Sequence, residues 1–360
     1  MPERAMIRAE AARLRALFEA EGAQVVETSI LQPAEVLLDL YGEDIRGRAY
    51  VTSDALRGEQ MLRPDFTVPV VQMHMAYGAA PARYTYAGEV FRRQEDDADR
   101  ANEYLQVGYE VFDREAPAAA DAEVFSRIAG ALNGLNLRAA TGDIGILMAA
   151  VEGLQTSAAR KAALRRHIWR PRRFRALIDR YSGRTPVPPS REALLAACDP
   201  FAAAPEIGLR SRAEIEARIA TLREDAATPS LSVKEVGLLD AILSVRETLP
   251  YALEHLRDIA VDMPAISRAV ERLAARMEAL SARGVDVALL DFEASYGRSS
   301  MEYYDGFVFG FYAEARPDLP PVATGGRYDA LTRVLGQGAA IPAVGGVLRP
   351  GLMLELGGGE

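Results

Sequence analysis

Two runs rich in Tyr, Val and Phe, Ala82–Arg92 and Glu103–Asp113, are separated by the polar stretch Arg93–Asn102. Aromatic and β-branched residues suit a pleated, half-buried surface, so this pattern predicts an antiparallel hairpin with a long tip. Side chains alternate faces along a strand, which puts Gln106, Gly108 and Glu110 on one face. Polar groups facing a sheet interior are costly unless they meet a ligand or each other. A polar face turned to solvent fits the same pattern, and the hairpin alone leaves both readings open.

Apolar spacing predicts a helix over Arg4–Glu21, closed by Gly22, then a strand over Ala23–Leu31 stopped by Pro33. Strands at Ala49–Ser53 and Gln60–Leu62 and a helix from about Val68 to Met75 lead into the hairpin, and a helix over Ala118–Asn133 follows it. Residues 155–255 are helical and Ala/Arg-rich, broken by Thr185–Ser190, and read as an insertion into one domain spanning 1–360. A helix over Ala265–Arg283 precedes strands at Val285–Phe292, Tyr304–Phe311 and Ala343–Leu348. Strands that cluster in hairpins instead of alternating with helices predict an α+β fold, its mixed, mainly antiparallel sheet flanked by helices.

Composition excludes several function classes. A formal net charge of -9 argues against a broad basic face for phosphate backbones. The lone cysteine, Cys198, cannot form an internal disulfide, and no apolar stretch suits a bilayer or a secretion signal, so a cytoplasmic location is expected. The three histidines, His74, His167 and His255, are dispersed, and neither a P-loop nor metal-ligand spacing occurs; no metal and no cofactor are expected.

Two further segments carry chemistry. In Leu62-Arg63-Pro64-Asp65-Phe66-Thr67, an Arg, a carboxylate and a hydroxyl beside a rigid Pro suit a zwitterion; a turn before a Thr helix cap suits the segment better when it stands alone. Glu302-Tyr303-Tyr304-Asp305 is followed by Thr324-Gly325-Gly326-Arg327-Tyr328-Asp329, where two glycines permit close backbone approach and Arg327 can be anchored by a carboxylate. Seen alone, that cluster reads better as core aromatics and an ordinary Gly-Gly turn.

In order, the three clusters resemble the catalytic domain of histidyl-tRNA synthetase, a class II aminoacyl-tRNA synthetase. The resemblance covers roughly residues 5–150 and 260–350 and implies that fold, with a helical insertion. It implies that Asp65 and Thr67 hold the α-amino group of histidine with Gln106 nearby. Glu110 and Tyr304 would bond the imidazole, Tyr303 would line the pocket and Arg327 would belong to the same histidine-binding set.

The departures matter more. Where the synthetases place an Arg three residues before the acidic-Tyr-Tyr run, this chain has Ser299, with Arg298 displaced by one. Gln94 replaces a glutamate, and the hairpin tip keeps Arg100 but has Asn102 in place of a second Arg. Leu352 occupies the place of the third-motif Arg, with Arg349 three residues early. Arg92 and Arg100 thus read as a vestigial nucleotide site. Losing one charge-stabilising group typically costs about 3–4 kcal/mol of barrier, and several losses abolish useful turnover.

No anticodon-binding domain is expected after the third motif, and with the acidic balance this expectation argues against tRNA binding. This combination is similar to the paralogous regulatory subunits that accompany the short form of ATP phosphoribosyltransferase. The similarity implies a non-catalytic subunit, dimeric near Ile30–Tyr41, assembling with the short catalytic subunit into a hetero-octamer and conferring feedback inhibition by L-histidine.

Overall fold

The structure is a computed structural model describing residues 2–41, 45–94, 100–201, 207–298 and 303–357. It opens with α1 (Arg4–Ala20), whose Leu14 and Phe18 are fully buried. The strand expected over Ala23–Leu31 is two pieces, β1 (Gln24–Val25) and β2 (Leu31–Pro33), because each joins a different sheet. After α2 (Ala34–Tyr41) and α3 (Ile45–Arg48), strands β3 (Val51–Asp54) and β4 (Gly58–Leu62) complete a small sheet ordered β2-β4-β3.

Helix α4 (Thr67–Tyr77) leads into the hairpin, β5 (Ala82–Phe91) and β6 (Glu103–Phe112), with Tyr84 opposite Glu110 and Tyr86 opposite Gly108. Next come α5 (Pro117–Ala131), β7 (Arg138–Asp143) and α6 (Ile144–Gly153). Strand β7 has no alternating pattern to announce it; its place between β9 and β10 supplies what propensity lacks.

The expected helical stretch comprises α7 (Ala158–Arg166), α8 (Pro171–Tyr181), α9 (Pro189–Ala196), α10 (Arg212–Ala227) and α11 (Val233–Ser244). Ser211 with Glu214, and Ser232 with Glu235, form capping boxes that start α10 and α11. The stretch ends before residue 255: β8 (Arg246–Thr248) forms an edge of the large sheet, and α12 (Leu249–Asp262) packs on α13 (Ser267–Ala282). Of the strand expected over Val285–Phe292, only β9 (Asp291–Glu293) forms.

Strand β10 (Phe307–Tyr312) starts three residues later than expected, and β11 (Ala323–Arg327), α14 (Asp329–Leu335), β12 (Ala343–Leu348) and α15 (Pro350–Gly357) follow. The large sheet runs β1-β5-β6-β12-β11-β10-β7-β9-β8. Its β1–β5 and β7–β9 pairs are parallel and the others antiparallel, so the α+β expectation holds.

Strand β11 corrects the reading of Gly325-Gly326 as a turn. A Cβ at residue 325 would stand 2.3 Å from the Phe309 ring and 2.4 Å from the Gly345 carbonyl oxygen, so glycine there serves packing inside the sheet. Helices α1, α5 and α13 cover one face, where Phe125 meets Phe309 and Phe311 at centroid distances of 5.4 and 5.3 Å. The opposite face carries Gln106, Gly108 and Glu110.

Candidate functional site

On that opposite face lies a cleft of about 120 Å³. One water needs roughly 10–15 Å³ by the same measure, so the cleft has room for a small metabolite. Asp65, Thr67, Gln106, Glu110, Tyr303 and Tyr304 all line it, together with Arg92. Three elements bring them together: the start of α4, the hairpin β5–β6, and the segment preceding β10.

Glu110 forms the floor. Its Oε1 accepts from the Tyr86 hydroxyl at 2.7 Å and the Thr67 hydroxyl at 3.4 Å, and its Oε2 from the Tyr328 hydroxyl at 2.5 Å. Burial pushes its carboxyl up to about 7; the Tyr328 and Tyr86 bonds oppose that rise, and the nearby Asp65 charge adds to it. Thr67 begins α4 without capping it, since its hydroxyl is turned toward Glu110.

Gln106 is fully buried, and among the described residues neither its Nε2 nor its Oε1 has a hydrogen-bond partner. An amide with both ends unsatisfied is expensive to bury, so its position on the cleft wall calls for a polar ligand. Tyr303 and Tyr304 form the aromatic wall, their rings 4.9 Å apart at 70°. Burial, then Glu110 and Asp65, raise the Tyr304 hydroxyl, which stays protonated at neutral pH.

Four expected positions fall elsewhere or differ. Arg327 does not line the cleft. On strand β11, Thr324 faces the cleft, and alternation turns Arg327 to the other side, where Nη2 and Nε bond Asp121 at 2.7 and 3.0 Å and Nη1 bonds Asp329 at 3.0 Å. Arg63, whose Nε donates to the Glu89 carbonyl at 2.8 Å, packs over Phe66 instead of facing a ligand. Arg100 is exposed, with Nη2 3.4 Å from the Asp318 carbonyl oxygen, and is not part of the cleft wall.

Arg349 departs in the other direction. Expected to be misplaced, it lines the cleft, anchored by a hydrogen bond to the Pro321 carbonyl. Arg92 stands there too, its Nε 2.7 Å from the Pro64 carbonyl oxygen. Arg298 turns away to the helical stretch, bonding the Ile168 carbonyl at 2.8 Å. Ser299 and Glu302 lie outside the described residues, as does the hairpin tip at 95–99.

Sequence reasoning missed Thr324, Pro321, Gly345 and Val347 on the cleft wall, and the Tyr86 and Tyr328 clamps on Glu110. Tyr86 could have been found: it shares a strand face with Tyr84 across from Glu110 and Gly108. Nothing local marks Tyr328.

A mainly antiparallel sheet that holds a polar cleft on one face, between a long hairpin and a glycine-rich strand, is the fold of class II aminoacyl-tRNA synthetases. The histidyl-tRNA synthetase family model matches residues 1–217 and 213–350. An ATP phosphoribosyltransferase regulatory subunit from Brucella anthropi is 32% identical over 357 residues, covering 92% of this chain and 93% of the relative. Among solved structures, a Bacillus halodurans protein described as an ATP phosphoribosyltransferase regulatory subunit/histidyl-tRNA synthetase superposes with a TM-score of 0.70 at 21% identity, over 99% of this chain and 80% of that one. A histidyl-tRNA synthetase from Nostoc gives a TM-score of 0.65 at 17% identity, over 98% and 72%. The chain belongs to the histidyl-tRNA synthetase family, in the branch of the ATP phosphoribosyltransferase regulatory subunits.

Proposed function

We propose that this chain is a non-catalytic regulatory subunit of ATP phosphoribosyltransferase that senses free L-histidine. The names of its relatives support the regulatory role. One observation carries the ligand: the buried Gln106 amide, unpaired at both ends, lines a cleft with the Asp65 and Glu110 carboxylates and the Arg92 and Arg349 guanidiniums. Histidine offers an ammonium for Asp65, an imidazole N–H for Glu110 and a carboxylate for the guanidiniums. A site that buries such groups rejects analogues that leave them unpaired.

Arg327 is not a contact in this reading. It positions β11 through Asp121 and Asp329. The chain is one class II-like domain with a helical insertion, acting as a dimer within a hetero-octamer completed by the short-form catalytic subunit. Exposed Ile30, Leu31 and Val51 on and beside the small sheet suit self-association near Ile30–Tyr41. Among the described residues no helix is long and apolar enough to cross a membrane.

The subunit both activates its partner and conveys feedback inhibition. Histidine must bind two states of the assembly unequally, with a difference typically about 1–3 kcal/mol. Co-expression with a short catalytic subunit should yield a single large complex whose activity falls on adding histidine. Separate elution, or activity indifferent to histidine, rejects the reading.

A second reading, a minimal active histidyl-tRNA synthetase, gains from the presence of Arg92 and Arg349 together on the cleft. Histidine-dependent ATP–pyrophosphate exchange by the purified chain would establish it, and absence of exchange supports the regulatory reading.

A further inference from the structure

The turn between α7 and α8, far from the cleft in sequence, is attached to the segment that carries its aromatic wall. Trp169 donates its indole N–H to the Tyr304 carbonyl oxygen at 3.2 Å. In return, Arg298 donates Nε–H to the carbonyl oxygen of the neighbouring Ile168 at 2.8 Å and lays its guanidinium over the Phe174 ring at 4.8 Å. Ile168 and Phe174 are buried, and Arg298 is only 5% exposed.

This attachment is not ordinary packing. The Arg298 Nη2 has no partner among the described residues, and burial alone lowers its pKa to about 10. A guanidinium held in a helical crevice without a counter-ion among the described residues is costly, and the cost is sustained only if the position is over-determined by its surroundings. On the other side, Tyr304 has its main chain held by Trp169 while its ring packs where a Cβ on Gly326 would stand 2.7 Å away. Tyr304 therefore cannot shift in the cleft without disturbing the α7–α8 turn.

We infer that Trp169 is a positioning residue for the ligand cleft, and that the α7–α8 turn, tied to the aromatic wall by Trp169 and Arg298, registers whether the cleft is occupied. The inference rests on the reading of the cleft as a histidine site. It assigns the helical insertion a role: a second element whose arrangement the ligand biases, the minimum that allosteric coupling requires.

The test exploits composition, because Trp169 is the only tryptophan in the chain. Titrating the full-length protein with L-histidine should change indole emission along the same saturation curve that calorimetry gives for binding. Trp169→Phe keeps the ring but removes the donor, and should weaken histidine binding roughly fivefold, the worth of one neutral hydrogen bond. Arg298→Met, read by calorimetry, should weaken it similarly and covers the case in which Trp169→Phe does not fold. Calorimetric binding with silent emission, or with both variants at wild-type affinity, overturns the inference while leaving the histidine site intact. No calorimetric binding by the wild type overturns the histidine site itself and this inference with it.

Discussion

Glu110 on β6 lies directly across from Gly345 on β12, and its Oε2 fills the place of the missing side chain: a Cβ at residue 345 would fall 1.4 Å from that oxygen. The site's central carboxylate thus has its room cut out of the neighbouring strand. Gly108 does the same for Tyr86, whose ring carbon Cζ would be 2.1 Å from a Cβ at that position.

Gly345→Ala should therefore evict the Glu110 carboxylate and break its bonds to Tyr86 and Tyr328. Overpacking of this kind typically costs about 1–3 kcal/mol. The variant should unfold at a lower denaturant concentration and bind no histidine by calorimetry. Wild-type affinity would mean that Glu110 is not a ligand contact.

The Glu110 carboxyl, pushed up to about 7, sets a pH dependence. Between its unfolded and folded values the native state keeps a proton that the unfolded chain has released. Stability from this group is therefore complete below the unfolded value and lost as pH rises through about 7. Asp305, raised to about 7 by burial and by the Asp329 charge, acts in the same window with the same sign. Ligand-free protein should lose stability across that interval, and Glu110→Gln should remove a share on the order of 1–3 kcal/mol. A melting series over pH checks this; identical slopes for wild type and variant would reject it.

Histidine binding carries the opposite dependence, since the imidazole N–H and the ammonium favour ionised Glu110. Affinity should rise with pH through about 7, accompanied by proton release that depends on the buffer's ionisation enthalpy. Glu110→Gln should abolish that release and weaken binding at least tenfold, a loss exceeding one neutral hydrogen bond.

Beneath the sheet, Asp121 bonds both Arg276 and Arg327, at 2.8 and 2.7 Å, and Arg276 also reaches Asp143 at 2.8 Å. Asp121→Ala would take one carboxylate from each of two buried guanidiniums, leaving Arg276 with Asp143 and Arg327 with Asp329; breaking a buried ion pair typically costs about 3–5 kcal/mol. Denaturant unfolding should show a loss of that order; a variant as stable as wild type would show that the network is incidental.

Arg349→Met separates ligand recognition from packing. It removes a charge whose pKa is lowered by burial, so ligand-free stability should change by less than about 1 kcal/mol. Affinity for histidine should fall roughly tenfold if the guanidinium meets the α-carboxylate. Unchanged affinity for histidine would remove Arg349 from the contact set.

Several features were legible because their signals are local. Two-residue alternation along β6 is enough to place Gln106, Gly108 and Glu110 on one face, and Asp65 and Thr67 follow from a motif of six residues. Arg327 shows where such reasoning stops. With Gly325-Gly326 taken as a turn, the strand disappears, and with it the alternation that sends Thr324 to the cleft and Arg327 to Asp121 on the other side. Arg349 was misjudged for a related reason. Arg349 continues the alternation of Gly345 and Val347 along β12, so its side chain faces the cleft, and counting from the third motif does not show this.

The amino-acid sequence by itself determined the chemical inventory of this protein: an α+β chain with a long hairpin, a set of carboxylates, amide and tyrosines in a given order, and few surviving cations around them. The tertiary structure decided which of those groups meet, which face each one takes, that Glu110 is buried enough to titrate near neutrality, and that Trp169 reaches Tyr304 from 135 residues away. The physical reason is range. Side-chain periodicity is set within a few residues, whereas strand order, burial and cross-chain hydrogen bonds arise only when distant segments pack together.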